Sequence, residues 1–148
     1  MSGFYGEYNV SMDAKGRLML PADFRKQLQE ADSSTFVMKR GKDKCLTLYT
    51  NSQWDNLSEQ LENMSAFNPK VQEFKRVFLD GIAMVDQDSA GRILIPKSLQ
   101  EYAGLNKELV FWMQGNKVEI WDKARKEAYL ESVRANEEAL ANELFQGI

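Results

Sequence analysis

Two short segments of the chain place an aspartate, a glycine and an arginine at the same spacing. Residues 10–21 read VSMDAKGRLMLP, and residues 85–96 read VDQDSAGRILIP. An arginine directly after a glycine turn can project its guanidinium from a rigid strand end toward a phosphate or a guanine edge. Arg17 is therefore the first candidate for a contact with DNA, and Arg92 is the second. In the alternative interpretation, each arginine pairs with the aspartate of its own turn and only holds the turn together.

Basic residues cluster around the first copy of this motif and are sparse around the second. Residues 11–28 carry four cations against two carboxylates, whereas residues 86–103 carry two cations against three carboxylates. A second basic stretch, at 39–44, also lies in the first half, although a charge run taken alone is usually a solvated loop. These counts predict that the first half faces the duplex. The candidate DNA-binding residues are Arg17, Lys15, Arg25, Lys26, Arg92, Lys39, Arg40 and Lys42.

The residues that most enzymes rely on are missing or unsuitably placed. The chain has no histidine and one cysteine, which excludes Ser-His-Asp and Cys-His catalysis and leaves no thiolate cluster for zinc. Asp13 and Asp88 could resemble the paired carboxylates of an aspartic protease. The arginine after each glycine would keep both carboxylates ionised, so they cannot share a proton. We expect no enzyme activity, metal, cofactor or small-molecule substrate, and we interpret Asp13, Gly16, Asp88 and Gly91 as turn residues.

The composition is that of a globular protein, with 148 residues, 43% hydrophobic and 28% charged, and a net charge of -3. Each repeat of about 75 residues is marginal for burying its own core, so the halves should share one. The longest apolar run is short and the start lacks a secretory pattern, so we expect a cytoplasmic protein without a membrane partner.

Both motif copies sit in the same succession of predicted elements. Alternation at Tyr8, Val10 and Met12, a turn, and renewed alternation predict a hairpin at each motif. A proline then begins a short helix; the first should extend through Ala31, and the second should end at Gly104. Two more strands follow in each copy, at 36–38 and 46–49 and again at 109–112 and 118–121.

Helical patterns connect and follow the two copies. Ser52 is the expected cap of a helix with a stripe through Met64, and Asn68-Pro69 separates it from a second helix. We therefore divide the chain into a first repeat at 5–52, a helical connector at 53–80, a second repeat at 81–124 and a C-terminal helix at 125–148. Apolar stripes place Trp54, Trp112 and Trp121 in packing positions rather than against bases.

The paired motifs, together with Phe4-Tyr5-Gly6-Glu7-Tyr8, Asn68-Pro69 and Glu119-Ile120-Trp121-Asp122, resemble the MraZ family of bacterial proteins, which have two AbrB-like domains. The resemblance covers almost the whole length. It implies an α+β, mainly β fold: tandem AbrB-like repeats that form one pseudo-twofold swapped-hairpin β-barrel with flanking helices.

The resemblance also implies a function. Proteins of this kind bind double-stranded DNA at repeated boxes upstream of the cell-division and cell-wall gene cluster, associate with the nucleoid and form ring-like homo-oligomers that regulate transcription. The family's arginine at this turn is associated with DNA contact, and that role carries over to Arg17 and then Arg92.

An antitoxin-like or other protein-interaction module is the alternative function. AbrB-like units occur in antitoxins, whose long tails are poor in apolar residues. The apolar spacing of Leu130, Val133, Leu140 and Leu144 instead predicts a packed C-terminal helix.

Overall fold

Eight strands and six helices make up residues 4–145, the part of the chain that this computed structural model describes. Single turns of 3-10 helix also occur at Glu30–Asp32 and Lys42–Lys44. The elements are β1 (Phe4–Ser11), β2 (Arg17–Met19), α1 (Ala22–Gln27), β3 (Thr35–Arg40), β4 (Leu46–Thr50), α2 (Asn51–Glu62), α3 (Pro69–Leu79), β5 (Ala83–Asp86), β6 (Arg92–Leu94), α4 (Lys97–Ala103), β7 (Glu108–Gly115), β8 (Val118–Asp122), α5 (Lys123–Arg134) and α6 (Glu137–Leu144).

The strands pair across the two halves rather than within each motif. β1 pairs with β7, β5 pairs with β3, and β2 pairs with β6, all antiparallel. The two hairpins expected from the sequence therefore do not form, because the strands of each motif pair with strands of the other half. An isolated bridge between Met12 and Leu18 joins the two sides of the first turn. The hydrogen-bonded order is an open six-stranded sheet, β1-β7-β8-β4-β3-β5, beside the two-stranded ribbon β2-β6. The mixed, mainly antiparallel fold is as predicted, but within residues 4–145 these ladders do not close a barrel.

One hydrophobic core serves both repeats, as their size predicted. Leu18 and Ile93 face each other across the ribbon, and each is 1% exposed. Phe24 of α1 packs 5.1 Å, centroid to centroid, from Phe111 of β7. Because side chains of each half fill the core of the other, neither repeat has a complete core alone.

Helix ends differ from the sequence expectation at two places. α1 ends at Gln27, because the chain turns extended at Leu28 and continues as a separate 3-10 turn that contains Ala31. The cap of α2 is Thr50 rather than Ser52, because Thr50 and Gln53 form a reciprocal capping box. α4 ends at Ala103 and is capped by Gly104 as predicted, with φ 60° in the left-handed region.

The C-terminal region is two helices where one was predicted. α5 ends at Arg134, and a short break precedes α6. Tyr129 of α5 packs on Trp121, with ring centroids 5.2 Å apart, whereas Leu144 of α6 is 74% exposed. Residues 146–148 of the predicted helix lie outside the described residues. No helix in the described part of the chain is long and apolar enough to cross a membrane.

Candidate nucleic-acid interface

Each Asp-x-x-Gly-Arg segment folds into a turn held by its own aspartate. Oδ1 of Asp13 accepts hydrogen bonds from the backbone N–H groups of Lys15 (3.0 Å) and Arg17 (2.9 Å), and Oδ2 accepts one from Arg17 Nε (2.8 Å). Gly16 has φ 85°, a conformation that other residues adopt only with strain. The spacing of the motif is thus the spacing that one carboxylate needs to bind two backbone groups and one guanidinium.

The turn at Asp88 repeats this geometry bond for bond. Its carboxylate accepts from the N–H groups of Ala90 and Arg92 (both 2.9 Å) and from Arg92 Nε (2.9 Å), and Gly91 has φ 87°. In both turns these backbone hydrogen bonds, followed by the arginine side chain, hold the pKa of the aspartate below its ordinary value. The aspartate–arginine pairing considered as an alternative is therefore present in both copies.

Pairing with aspartate leaves most of each guanidinium available. An arginine has five N–H donors, and only Nε is bound to the carboxylate in Arg17 and in Arg92. The Arg17 side chain is 29% exposed and that of Arg92 is 35% exposed. Since the carboxylate fixes one side of the guanidinium, the two terminal amino groups are held in a defined direction. The aspartate–arginine pair is therefore compatible with a further contact by the terminal amino groups.

The helix that follows each turn packs on the other turn. Arg25 of α1 donates to the carbonyl of Leu20 (3.2 Å) and lies over Gly91, where an added Cβ would be 2.9 Å from Nη1. Gln100 of α4 donates to the carbonyl of Ile95 (2.8 Å), and an added Cβ at Gly16 would collide with its amide. Backbone hydrogen bonds also connect each segment to the other turn. The N–H of Leu20 donates to the carbonyl of Gly91, and the N–H of Ile95 donates to the carbonyl of Gly16 (both 2.9 Å).

This crossing changes the distribution of charge that the sequence predicted. Counting along the chain assigned Arg25 to the first turn, but the structure places it at the second. The first turn then has Lys15 and Arg17 against one carboxylate, and the second has Arg25 and Arg92 against one carboxylate. The move of Arg25 to the second turn weakens the argument that placed the duplex-facing charge in the first half, which stays a prediction.

The ribbon β2-β6 brings the two arginines onto one surface. Arg17 lies opposite Leu94, and Arg92 lies opposite Met19. Because side chains alternate along a strand, these four residues share one face while Leu18 and Ile93 point into the core. Met19 and Leu94 are 44% and 54% exposed. Diagonal neighbours of this kind are about 7–8 Å apart, so both guanidinium groups can reach one stretch of a partner surface.

Sequence reasoning missed the apolar centre of this face and the role of Gln100. The alternation of side chains along a strand could have indicated this apolar centre, because it places Met19 on the same face as Arg17 and Leu18 on the other. Gln100 had no such signal, because its contact depends on the exchange between the halves.

Two other predicted DNA-binding residues, Lys15 and Lys26, are exposed. Lys15 lies in the first turn, and Lys26 lies in the last turn of α1. Neither side chain forms an ion pair within residues 4–145.

The basic stretch at 39–44 does not form a free patch. Lys39 is only 8% exposed and donates to the carbonyl of Arg40 (2.7 Å), because its strand position faces a covered part of the sheet. Its burial gives no support to the prediction that it contacts DNA. Arg40 pairs with Asp80 (2.8 Å) and lies over the ring of Tyr102. Lys42 is exposed. The contacts of Arg40 are thus with the connector and α4 and not with either turn.

Cys45, the residue immediately before β4, is the single cysteine of the sequence. It is fully buried, and burial, followed by the charge of Glu119, raises the pKa of its thiol to about 12. No group of three or more metal-ligating side chains occurs in the described ranges.

Comparison with known proteins supports one family over the whole length. The family model described as "MraZ protein, putative antitoxin-like" matches twice, at residues 4–77 and 78–147. The protein named transcriptional regulator MraZ from Acetivibrio thermocellus is 40% identical over 141 residues, covering 95% of this chain and 96% of the relative. The protein of the same name from Christiangramia forsetii is 38% identical over 154 residues, covering 100% and 99%.

These relatives are named for the regulation of transcription and not for an enzyme activity, which confirms the prediction that the chain is not an enzyme. The two matches of the family model also coincide with the two motif copies. The chain therefore belongs to the MraZ family.

Proposed function

We propose that this chain is a DNA-binding transcriptional regulator, and that the exposed face of the β2-β6 ribbon contacts the duplex with both turns. The observation that carries this proposal is the register of the ribbon, which puts Arg17 and Arg92 on one face with their Nε groups already held by aspartate. The names of the relatives agree with such a function.

The chemistry of this face suits a DNA groove. A two-stranded ribbon fits the major groove, and arginine is the commonest side chain that binds a guanine edge. The exposed Met19 and Leu94 between the arginines could lie against thymine methyl groups, while Lys15, Arg25 and Lys26 supply phosphate contacts. Aspartates that face a duplex would repel phosphate, but here each carboxylate is occupied by its own turn.

A fluorescence anisotropy titration tests this proposal with duplex DNA from the region upstream of the protein's own gene. We expect Arg17→Ala to weaken binding about tenfold, since one good arginine contact to a base contributes ~1–3 kcal/mol. Arg134→Ala removes an arginine of α5 that is 63% exposed, and it serves as the matched control. Equal affinity of the Arg17→Ala protein and the parent protein, both folded by circular dichroism, would remove the central claim.

We further propose that several copies act together on repeated DNA boxes upstream of the cell-division and cell-wall gene cluster, at the nucleoid. One ribbon offers few cations, so useful affinity requires linked copies that bind neighbouring boxes. Exposed apolar side chains of α3 and the β5 edge support self-association, since Val77 is 78% exposed and Met84 is 62% exposed. Light scattering on the parent protein and on Val77→Glu measures this: the parent should be a ring-like oligomer and the variant should be smaller.

The exchange of strands and helices between the halves is consistent with a swapped-hairpin arrangement in which one chain replaces the two subunits of an AbrB-type dimer. Each ladder that joins the halves, β1 with β7, β5 with β3 and β2 with β6, supports it. Separately expressed halves, 1–80 and 81–148, should then fold only when mixed.

A second candidate, a protein-interaction module of the antitoxin kind, is favoured by the description of the family model and by α6. α5 packs on the sheet, but Leu140, Leu144 and Phe145 are 45%, 74% and 59% exposed beside an acidic helix start. Deletion of residues 136–148 distinguishes the two functions, because it should abolish binding of a basic protein partner and leave DNA binding unchanged.

A further inference from the structure

A cavity of about 470 Å³ lies between α3 and the β3-β4 side of the sheet, and positive charge dominates its lining. Four cationic side chains line it, with one carboxylate: Lys39, Arg40, Lys42, Lys117 and Asp80. The chain as a whole has a net charge of -3. The volume falls within the range of small-ligand sites, which is about 300–1,000 Å³.

Lys39 is a buried cation without an anionic partner. It is 8% exposed, donates one hydrogen bond to the carbonyl of Arg40, and its Nζ lies 4.2 Å from the ring centroid of Phe78. Across residues 4–145 no carboxylate lies within ion-pair distance of its ammonium group. Burial and the repulsion from Lys117 lower the pKa of Lys39. Buried ammonium groups are normally paired with an anion, because an unpaired buried charge is costly.

Lys126 provides an internal comparison. It is 7% exposed and its Nζ lies 4.5 Å from the ring centroid of Trp112, so it has the same burial and the same aromatic contact as Lys39. It also pairs with Glu7, at 2.6 Å. Of these two buried lysines, Lys126 has a carboxylate partner and Lys39 has none among the described residues.

The neighbouring carboxylates are already engaged. Asp80 pairs with Arg40 at 2.8 Å. Glu119 accepts hydrogen bonds from Gln114 (2.6 Å) and Trp121 (2.9 Å), and its other oxygen lies 3.5 Å from Lys117. The protein thus supplies no spare anion to Lys39, and Arg40 Nε is itself a buried donor without a hydrogen-bond partner in the described part of the chain.

We propose that this cavity binds a small phosphorylated metabolite, with its phosphate on Lys39 and with Lys117 and Arg40 as further contacts. A phosphate group offers two negative charges and several acceptor oxygens, which match a cluster of ammonium and guanidinium donors. The organic part lies toward the exposed ring of Phe74, which is 48% exposed at the cavity. This site is separate from the ribbon, and its occupant differs from the DNA backbone because Lys39 lies too deep for a duplex phosphate.

The experiment measures thermal unfolding of the full chain with inorganic pyrophosphate and with AMP as probes, each up to about 10 mM. The parent protein should show a rise in Tm with probe concentration, and isothermal titration should give one site per chain. Lys39→Met should unfold at a higher Tm than the parent without probe, because a buried unpaired charge is removed, and should lose the response to the probe. Lys126→Met, the matched control, should unfold at a lower Tm and keep the response.

Three results would overturn the proposal. The first is a parent protein whose Tm does not change with either probe. The second is a Lys39→Met protein that keeps the response, since the anion then binds elsewhere. The third is a Lys39→Met protein that loses DNA affinity as well as the response, which would assign Lys39 to the duplex. Lys117→Gln changes a side chain that is 38% exposed; it gives a second measurement and should weaken the response.

Discussion

The turn at Asp13 and the turn at Asp88 have the same hydrogen bonds, although the chain around them carries different charges. Their aspartate–arginine distances are 2.8 and 2.9 Å, and their glycines have φ 85° and 87°. Residues 11–28 are nevertheless basic and residues 86–103 are acidic. Part of the difference is offset in space because Arg25 from the basic stretch lies over Gly91, while the neutral Gln100 lies over Gly16. Local charge at a duplicated site therefore follows the packing of the helices and not the order of the sequence.

The largest test of this equivalence removes the arginines. We expect Arg17→Ala and Arg92→Ala each to weaken binding to duplex DNA about tenfold, and the double variant about a hundredfold, because each arginine makes a similar contact from the same face. Anisotropy titrations at fixed salt measure it. If only Arg17→Ala has an effect, the two turns are unequal despite their geometry, and the simple count along the sequence is the better guide.

A second test concerns the backbone of each turn. Gly16→Ala and Gly91→Ala should each lower the free energy of unfolding by ~1–2 kcal/mol, because both glycines adopt a positive φ that alanine reaches only with strain. Urea denaturation followed by circular dichroism measures this loss. Ser89→Ala, within the second turn but away from the glycine, is the control and should change little. A loss at one glycine only would contradict the structural equivalence.

A third test moves one positive charge from the second turn to the first, by changes at Arg25 and Gln100. Arg25→Gln should weaken DNA binding about threefold, since an exposed charge contributes up to ~1 kcal/mol, and Gln100→Arg should strengthen it by a similar factor. The double variant should return to the parent affinity, with the extra cation now at the first turn. Without this compensation, Arg25 acts through its hydrogen bond to the Leu20 carbonyl and not through its charge.

The smallest expected effect is a change in the stability of the two turns with pH. Folding lowers the pKa of Asp13 and Asp88, so their contribution to stability is complete above the ordinary aspartate pKa of about 4 and is lost as pH falls through the lower folded value. The difference in unfolding free energy between the parent and Asp13→Asn should thus shrink as pH falls from about 6 to about 3. Asp88→Asn should behave in the same way. A difference that stays constant over this range would show that the carboxylate charge is not what the turn uses.

Much of the fold was predictable because it depends on neighbours in sequence. Alternating apolar residues located the strands, Gly104 ended α4, and the Asp-x-x-Gly-Arg spacing located both turns. Partners of the strands were not predictable from this information. Tyr8 and Val10 pair with β7, about a hundred residues later, and alternation alone cannot choose between a local hairpin and such a distant strand.

For the basic residues too, contacts between sequence neighbours were predictable and contacts between distant residues were not. The sequence identified Lys39 as a cation in a basic stretch, but its register on β3 turns the side chain under α3, where it lies against Phe78. It also associated Arg25 with the nearer turn, whereas the exchange between halves moves it to the other. Lys15 stayed with Arg17 because only one residue separates them in the same turn.

By itself, the sequence determined that one turn is built twice, because each aspartate binds groups no more than four residues away and needs nothing from the rest of the chain. It also predicted that the two halves share a core, since each is marginal for burying one alone. Only the tertiary structure decided which helix covers which turn, that Arg17 and Arg92 share a face, and that Lys39 is buried without a carboxylate. The physical reason is that these three features depend on contacts between residues far apart in sequence, whose pairing is chosen by the packing of the whole core.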